Sequence, residues 1–474
     1  MKKKAGLTIG LVTGGLMIIG LTIGGIFLFT NGEKDSVDNV RVGKHESEKK
    51  KSKGDLFIES YIENGKNALF GLNGVEVDYK EAFSCFNGIK SLVYDDYAIE
   101  TAYYLGHMYD YGYGVEVDYE QAIEYLTFAA DADYGKAQYA LGCLYYQGDG
   151  VEQDKDKAKE YFEKAIENGC VEAYEGLAMF AYEEGDYETE FTYHQKVIDN
   201  GTEPDLVAMS MLNMAEMYEE GDYVEKDEKK AFELIEKAVE LNYNQAYYEM
   251  AVAYHAGIGV DFDFDKAQEL YQLAADRDYL YAIYQIAENY RIGFNGYLDY
   301  DKALEYYEKA AKKNHIRATY MVGYMYMNGN IYGISQNAYI AYDYFVKAAE
   351  WGDKDAMCYL GKMYFEGIGT AQDDEMGIEW WKKVSDLGYS IGSNQIATYY
   401  DKQGKFEEAF PYYDLALSQN PNDTVNMYNV AIYLWNGYGT EKDPERAKSL
   451  ATQAAEYGHE EAKTLLEQII AAGY

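Results

Sequence analysis

A small residue, glycine or alanine, recurs through this chain at a nearly constant interval. It stands at Gly106, Gly142, Ala178, Ala215, Ala251, Ala287, Gly323, Gly361, Ala397 and Ala431, with steps of 36, 36, 37, 36, 36, 36, 38, 36 and 34 residues. We refer to it as the marker. Such a period is the signature of a stacked repeat array, because a unit this short cannot bury its apolar face alone and must lay it against its neighbours. At 474 residues the chain is also longer than one ordinary compact core accommodates.

Each copy contains two stretches of helical apolar period separated by a glycine turn. In the second copy they are Ala137 to Tyr145 and Ala158 to Ala165, with Gly148-Asp149-Gly150-Val151 between them. A Gly or Ala marker on the first helix lets the second helix approach closely. The aromatic three residues later is expected to fill the gap between helices: Tyr109, Tyr145, Tyr218, Tyr254, Tyr290, Tyr326, Tyr364 and Tyr400. Next comes a turn glycine, at Gly112, Gly148, Gly221, Gly257, Gly293, Gly329, Gly367 and Gly437, where a positive φ can end the helix. An aspartate then opens the second helix and can cap its free N–H groups, at Asp118, Asp154, Asp227, Asp263, Asp299, Asp373 and Asp443. Pro444 takes the favoured first helical position. Second-helix alanines complete the contact at Ala122, Ala158, Ala231, Ala267, Ala303, Ala341, Ala409 and Ala447. Four prolines against 45 glycines fit many helices with glycine between them.

This arrangement resembles the Sel-one-like repeat (SLR) family of the tetratricopeptide-like superfamily. The family pattern is nearly complete at Ala137 to Ile166 and clear from Thr101 to Ala130 and from Ala246 to Ala275. The resemblance implies an all-α solenoid, a superhelix of about ten to eleven helix-turn-helix repeats over residues 55–474, with first helices lining a concave wall. It also implies a protein-binding scaffold rather than an enzyme. Some copies depart from the pattern. Around Ala178 and Ala397 the connecting turn is four residues shorter, as in plain tetratricopeptide repeats. Gly74 to Ile89 reads as the second half of a degenerate first repeat, and Gly377 replaces the usual second-helix alanine. The cysteine pair that secreted bacterial members carry in every repeat is absent. Cys85, Cys143, Cys170 and Cys358 are scattered and form no metal-binding spacing.

Before the repeats, Ala5 to Thr30 is a run of 26 residues without a charge. At about 1.5 Å per residue it exceeds the roughly 30 Å hydrocarbon core, which is the length of a spanning helix. The run is longer than the apolar part of a cleaved signal peptide, and Phe27-Leu28-Phe29-Thr30 lacks the small residues of a cleavage site. The expected layout is therefore a cytoplasmic tail at 1–4, a transmembrane signal anchor at 5–30, a flexible polar linker at 31–54 and the solenoid at 55–474. Lys2, Lys3 and Lys4 favour a single-pass cell-membrane protein with its N-terminus cytoplasmic and its repeats extracytoplasmic. Gly6, Gly10 and Gly14, with Gly20 and Gly24, have the spacing that lets two spans pack closely, one route to a homo-oligomer.

Charge bounds the partner. Residues 1–54 carry ten basic and five acidic side chains, so the body holds −45 while the whole chain holds −40. Such a body repels phosphate backbones, which argues against nucleic acid and for a protein or peptide with basic segments. No cofactor is expected. The six histidines show no ligand spacing, the G-x-G pieces follow helices rather than strands, and no nucleophile motif appears. Asp261 to Asp265 imitates a calcium loop, but Lys266 and Gln272 stand where that loop needs Gly and Glu. Candidate partner contacts lie four residues after each marker, where the residue type changes while the frame is kept: Asp110, Tyr146, Tyr182, Glu219, His255, Arg291, Met327, Phe365, Asp401 and Trp435. Tyrosines three residues before the marker (Tyr103, Tyr139, Tyr248, Tyr284, Tyr320 and Tyr428) are expected to be scaffold. The leading reading is a membrane-anchored interaction scaffold. A cell-envelope hydrolase on a repeat frame and a cytoplasm-facing tethered adaptor remain as alternatives.

Overall fold

The computed structural model describes residues 52–474. The tail and anchor expected at 1–30, and the linker up to residue 51, lie outside the described residues. Among the described residues there are helices and turns but no strand, and no helix is long and apolar enough to cross a membrane.

The described residues form an all-helical solenoid in two units, one ending at Leu273 and one starting at Ala274. The first contains α1 (Lys53–Phe70), α2 (Tyr79–Ile89), α3 (Asp95–Tyr111), α4 (Tyr119–Ala130), α5 (Gly135–Gln147), α6 (Lys155–Glu167), α7 (Ala173–Glu184), α8 (Tyr187–Asn200), α9 (Pro204–Glu220), α10 (Glu228–Glu240), α11 (Asn244–Ala256) and most of α12 (Phe264–Asp276). The second contains α13 (Leu280–Ile292), α14 (Tyr300–Ala311), α15 (Ile316–Met327), the single turn α16 (Gly329–Tyr332), α17 (Ala338–Glu350), α18 (Lys354–Glu366), α19 (Asp374–Asp386), α20 (Ser390–Lys402), α21 (Phe406–Gln419), α22 (Thr424–Asn436), α23 (Pro444–Glu456) and α24 (Glu460–Ala471). Within each unit, first helices pack on the second helix of their own repeat, and second helices on the next first helix.

The caps are where the sequence places them. Asp118, Asp154, Asp227, Asp263, Asp299, Asp373 and Asp443 each accept a hydrogen bond from the backbone N–H three residues on. Each satisfies a donor that the first helical turn would otherwise leave unpaired. The second-helix alanines from Ala122 to Ala447 are fully buried.

What fills the gap between paired helices differs from the expectation. The tyrosine three residues after the marker is half-buried in most copies. Tyr145 lies flat against Tyr161 at 5.7 Å, and the Lys157 ammonium is 4.0 Å from its ring centroid. The gap is filled from the second helix, by the residue facing the marker. A Cβ on Gly142 would run into the Phe162 ring, and one on Gly361 into the Trp381 indole. Tyr271 and Tyr307, facing Ala251 and Ala287, are likewise fully buried. A tyrosine can keep its hydroxyl at the wet edge of the helix pair, whereas a marker without a bulky side chain leaves a hole only the opposite helix can fill.

Three further expectations are corrected. The first repeat is complete, because α1 pairs with α2 and Gly65 faces Phe86 as a marker would. The helix also starts at Lys53, one residue before the expected end of the linker, because Ser52 and Asp55 cap it reciprocally. Gly329 does not end its helix. It opens the extra turn α16, and Gly333 takes the left-handed position (φ 70°), as the two-residue-longer step at this copy requires.

The second glycine of each G-x-G turn has a role beyond the turn. Gly114 and Gly259 sit at φ 74° and 66°, and a Cβ on either would collide with the carbonyl of Tyr79 or Glu228, in the first turn of the preceding repeat's second helix. Both the left-handed backbone and the close inter-repeat approach therefore demand glycine.

Candidate functional site

The column four residues after the marker lies near the C-terminal end of each first helix, and at Tyr146, Phe365 and Asp401 it meets the next first helix. Tyr146 meets Phe180 edge-on at 5.4 Å and donates its hydroxyl proton to Glu183 Oε1 at 2.5 Å. Phe365 stacks on Trp381 at 4.4 Å and reaches Tyr399 at 4.7 Å; its ring occupies the space that a Cβ on Gly377 would enter, which accounts for that glycine. Asp401 accepts a hydrogen bond from the Tyr433 hydroxyl. Trp435 meets Tyr474 edge-on at 5.9 Å. Arg291 forms an ion pair with Glu288 at 2.5 Å, and its Nε donates to the Tyr307 hydroxyl at 3.0 Å. Met327 is half-buried, and its main-chain carbonyl accepts from Gln336. Tyr182 and Asp110 are half-buried. Burial, with Asp149 beside it, pushes the Asp110 carboxyl up to about 7.

His255 departs from the expectation of an accessible column. It is 5% exposed, with Nδ1 3.3 Å from the Tyr271 hydroxyl and Phe264 edge-on at 5.1 Å. Much of the variation along this column thus follows what each residue packs against. The tyrosines three residues before the marker pair with the second-helix ring: Tyr139 with Phe162 at 5.6 Å, Tyr248 with Tyr271 at 5.7 Å, Tyr284 with Tyr307 at 5.8 Å and Tyr320 with Phe345 at 5.8 Å.

In α7 and α8, one of the two short-turn repeats, ionisable side chains replace that aromatic pair. Glu175 stands in the tyrosine position and His194 in the ring position, with Nδ1 3.1 Å from Glu175 Oε1. Ser210, from α9, donates to the same carboxylate, and Glu190 approaches His194 Nε2 at 3.7 Å. All four are buried. Burial opposes the imidazolium, but Glu175 and Glu190 outweigh it and push His194 up to about 9.

Beyond this network the wall of the first unit gathers carboxylates that sequence spacing did not single out. Glu216 lies one residue after its marker and Glu249 two before, flanking the candidate Glu219. Burial, then Glu216 and Glu220, push Glu219 up to about 7. Burial likewise brings Glu249 to about 7 against a hydrogen bond from Gln245, with Glu219 and Glu216 adding to the rise. A helical period of 3.6 puts offsets −2, +1 and +4 to +5 along one stripe, so reading those columns together would have found the group. Among the described residues no cluster of His, Cys, Asp or Glu is arranged to hold a metal ion, and the four cysteines are free thiols.

The profile described as Sel1 repeat matches residues 65–87, 99–134, 135–170, 208–243, 244–279, 280–315, 316–353, 354–389 and 427–459. Two of the stretches it skips, 171–207 and 390–426, contain the short-turn copies around Ala178 and Ala397. Human eukaryotic elongation factor 2 kinase is 26% identical over 132 residues, which is 27% of this chain and 16% of that protein's length. Among solved structures, a protective antigen of uropathogenic Escherichia coli displaying an SLR fold is 23% identical, with 88% of each chain covered and a TM-score of 0.49. A Sel1 repeat protein from Oxalobacter formigenes is 24% identical, covering 65% of this chain and 88% of its own, with a TM-score of 0.47.

Proposed function

The chain belongs to the Sel1 repeat family, and on that premise we propose that it is a membrane-anchored scaffold whose first helices bind partner proteins. The observation that carries this reading is the division of labour within each repeat. Markers, capping aspartates and buried alanines recur to hold the frame, while the first-helix positions between them differ in charge and aromaticity from copy to copy. A rigid frame with a varied surface is how repeat proteins present extended recognition sites. The body's charge of −45 makes a basic protein segment the complementary partner.

The anchor reading rests on Ala5 to Thr30, uncharged throughout and preceded by Lys2, Lys3 and Lys4, an arrangement that favours repeats outside the cytoplasm. Two measurements test the reading. Protease added to intact cells should degrade the repeats; protection until lysis would place them in the cytoplasm. The full-length chain, purified from membranes after cross-linking, should retain a defined protein partner at a fixed ratio. A chain that carries none, or that turns over an envelope polymer with activity lost on a point substitution, would refute the scaffold.

A further inference from the structure

One stripe of each first helix packs on the second helix of the preceding repeat. In α5, Ala137 and Leu141 join the cluster of Leu126 and Ala129 from α4, and the Gln138 side chain donates to the Ala130 carbonyl at 3.1 Å. In α22 the Asn426 side chain donates to the Ala416 carbonyl of α21 at 3.1 Å. These positions lie one, four and five residues before the marker, and Leu105, Ile286 and Leu360 in the first of them are fully buried. In α1, with Gly65 as marker, the same stripe is Asn64, Tyr61 and Ser60, continued one turn earlier by Phe57. All four are exposed, and among the described residues nothing precedes α1 to cover them. Asn64, where other copies carry leucine or isoleucine, is the polar substitution that closes a repeat array to water. The beginning of the stripe is not closed in that way. Phe57 and Tyr61 are 48% and 37% exposed with ring centroids 4.7 Å apart, and Leu56 beside them is 55% exposed. Tyr94, also exposed, donates its hydroxyl proton to Asp55 at the same end of the helix.

The sequence that leads into this apolar face is basic. Lys49, Lys50, Lys51 and Lys53 are four of the five residues 49–53, in a chain whose body from residue 55 holds −45. The carboxylates of α1 do not cancel them at the exposed face. Asp55 accepts from the Ser52 N–H at 2.7 Å and from Tyr94, Glu59 accepts from the Tyr97 hydroxyl, and Glu63, two residues after Tyr61, falls on the opposite side of the helix. The last helix, α24, has the reverse character, with exposed Glu460, Glu461 and Glu467 against the single lysine Lys463. Residues 31–51 join α1 to the uncharged run Ala5 to Thr30, and those 21 residues reach at most about 75 Å when fully extended. The element tied directly to that run is thus the one with an uncovered apolar stripe next to a lysine cluster.

We propose that the first repeat docks on an anionic bilayer surface, with Leu56, Phe57 and Tyr61 set at the boundary of headgroups and acyl chains and Lys49, Lys50, Lys51 and Lys53 against the lipid phosphates. The proposal rests on the anchor reading above and adds a second attachment, made by the folded repeats themselves. Leucine and aromatic side chains at the start of a surface helix bury at that boundary, and tyrosine keeps its hydroxyl in the polar layer. Lysines next to them gain from the negative potential of anionic lipids, an attraction that salt weakens. Two other occupants fit less well. A second copy seated symmetrically on this face would bring two lysine clusters together. Residues 31–51 offer only Val37, Val40 and Val42 as large apolar side chains, which is little to cover two rings and a leucine. Docking would fix how the first repeats stand on the membrane, where a tether alone leaves them free to turn.

The test uses the full-length chain in lipid nanodiscs and the fluorescence added by Phe57→Trp, read against the unsubstituted chain, whose tryptophans (Trp351, Trp380, Trp381 and Trp435) all lie in the second unit. Lipids brominated near the top of their acyl chains quench a tryptophan that touches them. In discs with about 30% phosphatidylglycerol the added fluorescence should fall at least about twofold, and in pure phosphatidylcholine discs clearly less. Replacing Lys49, Lys50, Lys51 and Lys53 together by glutamine should bring the anionic discs down to the neutral level. Glu163→Trp, on the exposed face of α6, should show no quenching. Quenching of Phe57→Trp no greater than that of Glu163→Trp would overturn the docking. So would a blue-shifted emission that bromine does not touch, which would put residues 31–51 or a second copy on the face. Equal quenching in the two lipids, or quenching indifferent to the lysine changes, would overturn the anionic surface as the partner. Circular dichroism checks each variant, and Leu56→Trp, with the same expected quenching, serves if Phe57→Trp does not fold. A chain that never enters the discs refutes the anchor reading and the docking with it, whereas one that enters them and stays unquenched refutes the docking alone.

Discussion

Replacing His194 by alanine is expected to cost more than any other single polar substitution in the first unit. Among the described residues His194 is the cation paired with Glu175 and Glu190 in their buried network, and burial makes the loss of a counter-charge expensive. Breaking a buried pair by removing one partner typically costs about 3–5 kcal/mol. The same position offers a designed rescue, because the chain shows how other repeats fill the site. Tyr139–Phe162 and Tyr248–Tyr271 occupy it with ring pairs at 5.6 and 5.7 Å, and alanine stands in the Ser210 position at Ala137, Ala246 and Ala282. Alanine likewise stands in the Glu190 position at Ala158 and Ala267, so the quadruple change Glu175→Tyr, Glu190→Ala, His194→Phe and Ser210→Ala should fold with a stability within about 1–2 kcal/mol of wild type, since well-packed apolar groups replace buried ion pairs at little or no cost. The pH dependence separates the two explanations. The folded state raises the His194 pKa from about 6.5 to about 9, so its stabilisation is fully present below about 6.5 and is lost as pH rises through about 9. The difference corresponds to on the order of 3 kcal/mol. Urea unfolding followed by circular dichroism across that range should show an alkaline decline in wild type that the quadruple variant lacks. A decline of equal size in both, or a cost below about 1 kcal/mol for His194→Ala, would refute the ion-pair account.

Other expectations follow from the packing. Phe162→Ala should cost about 3–5 kcal/mol and Tyr145→Ala much less, because Phe162 is fully buried against Gly142 while Tyr145 is half-exposed; urea melts giving equal losses would restore the tyrosine as the gap filler. Gly259→Ala should destabilise by at least about 2 kcal/mol, since it meets both a left-handed φ of 66° and the Glu228 carbonyl, whereas Gly388→Ala, with open space around it, should cost only the backbone strain of about 1 kcal/mol; equal thermal shifts would contradict the inter-repeat contact. Deleting residues 246–281 removes one 36-residue period and rejoins equivalent positions, so it should perturb the melt less than deleting 18 residues within it, and equal damage would count against a repeat array.

The frame was legible in the sequence wherever one letter has one physical job. A capping aspartate needs its carboxylate three residues before a free N–H, and the contact alanines need a methyl at the helix crossing, so both recur by identity at Asp118 or Ala122. The gap filler did not show because its job is volume. Leu126, Phe162, Trp381 and Tyr271 all perform it, and only a side chain in place on the opposite helix reveals which residue it is. Gly65 escaped notice because it precedes Gly106 by 41 residues, the long α3 having broken the period. The wall of Glu216, Glu219 and Glu249 was hidden by abundance: with 82 acidic residues, proximity in sequence says nothing until helices set three of them side by side.

Site-specific photo-cross-linking in living cells tests the central claim most directly. A photoreactive residue placed at Glu216 or Glu249, on the first-helix wall, should trap one and the same protein. The same residue at Glu163 or Glu236, exposed on second helices, should trap none of it. Cross-links to that protein only from the second-helix positions, or none from any position, would contradict a scaffold that binds through its first helices.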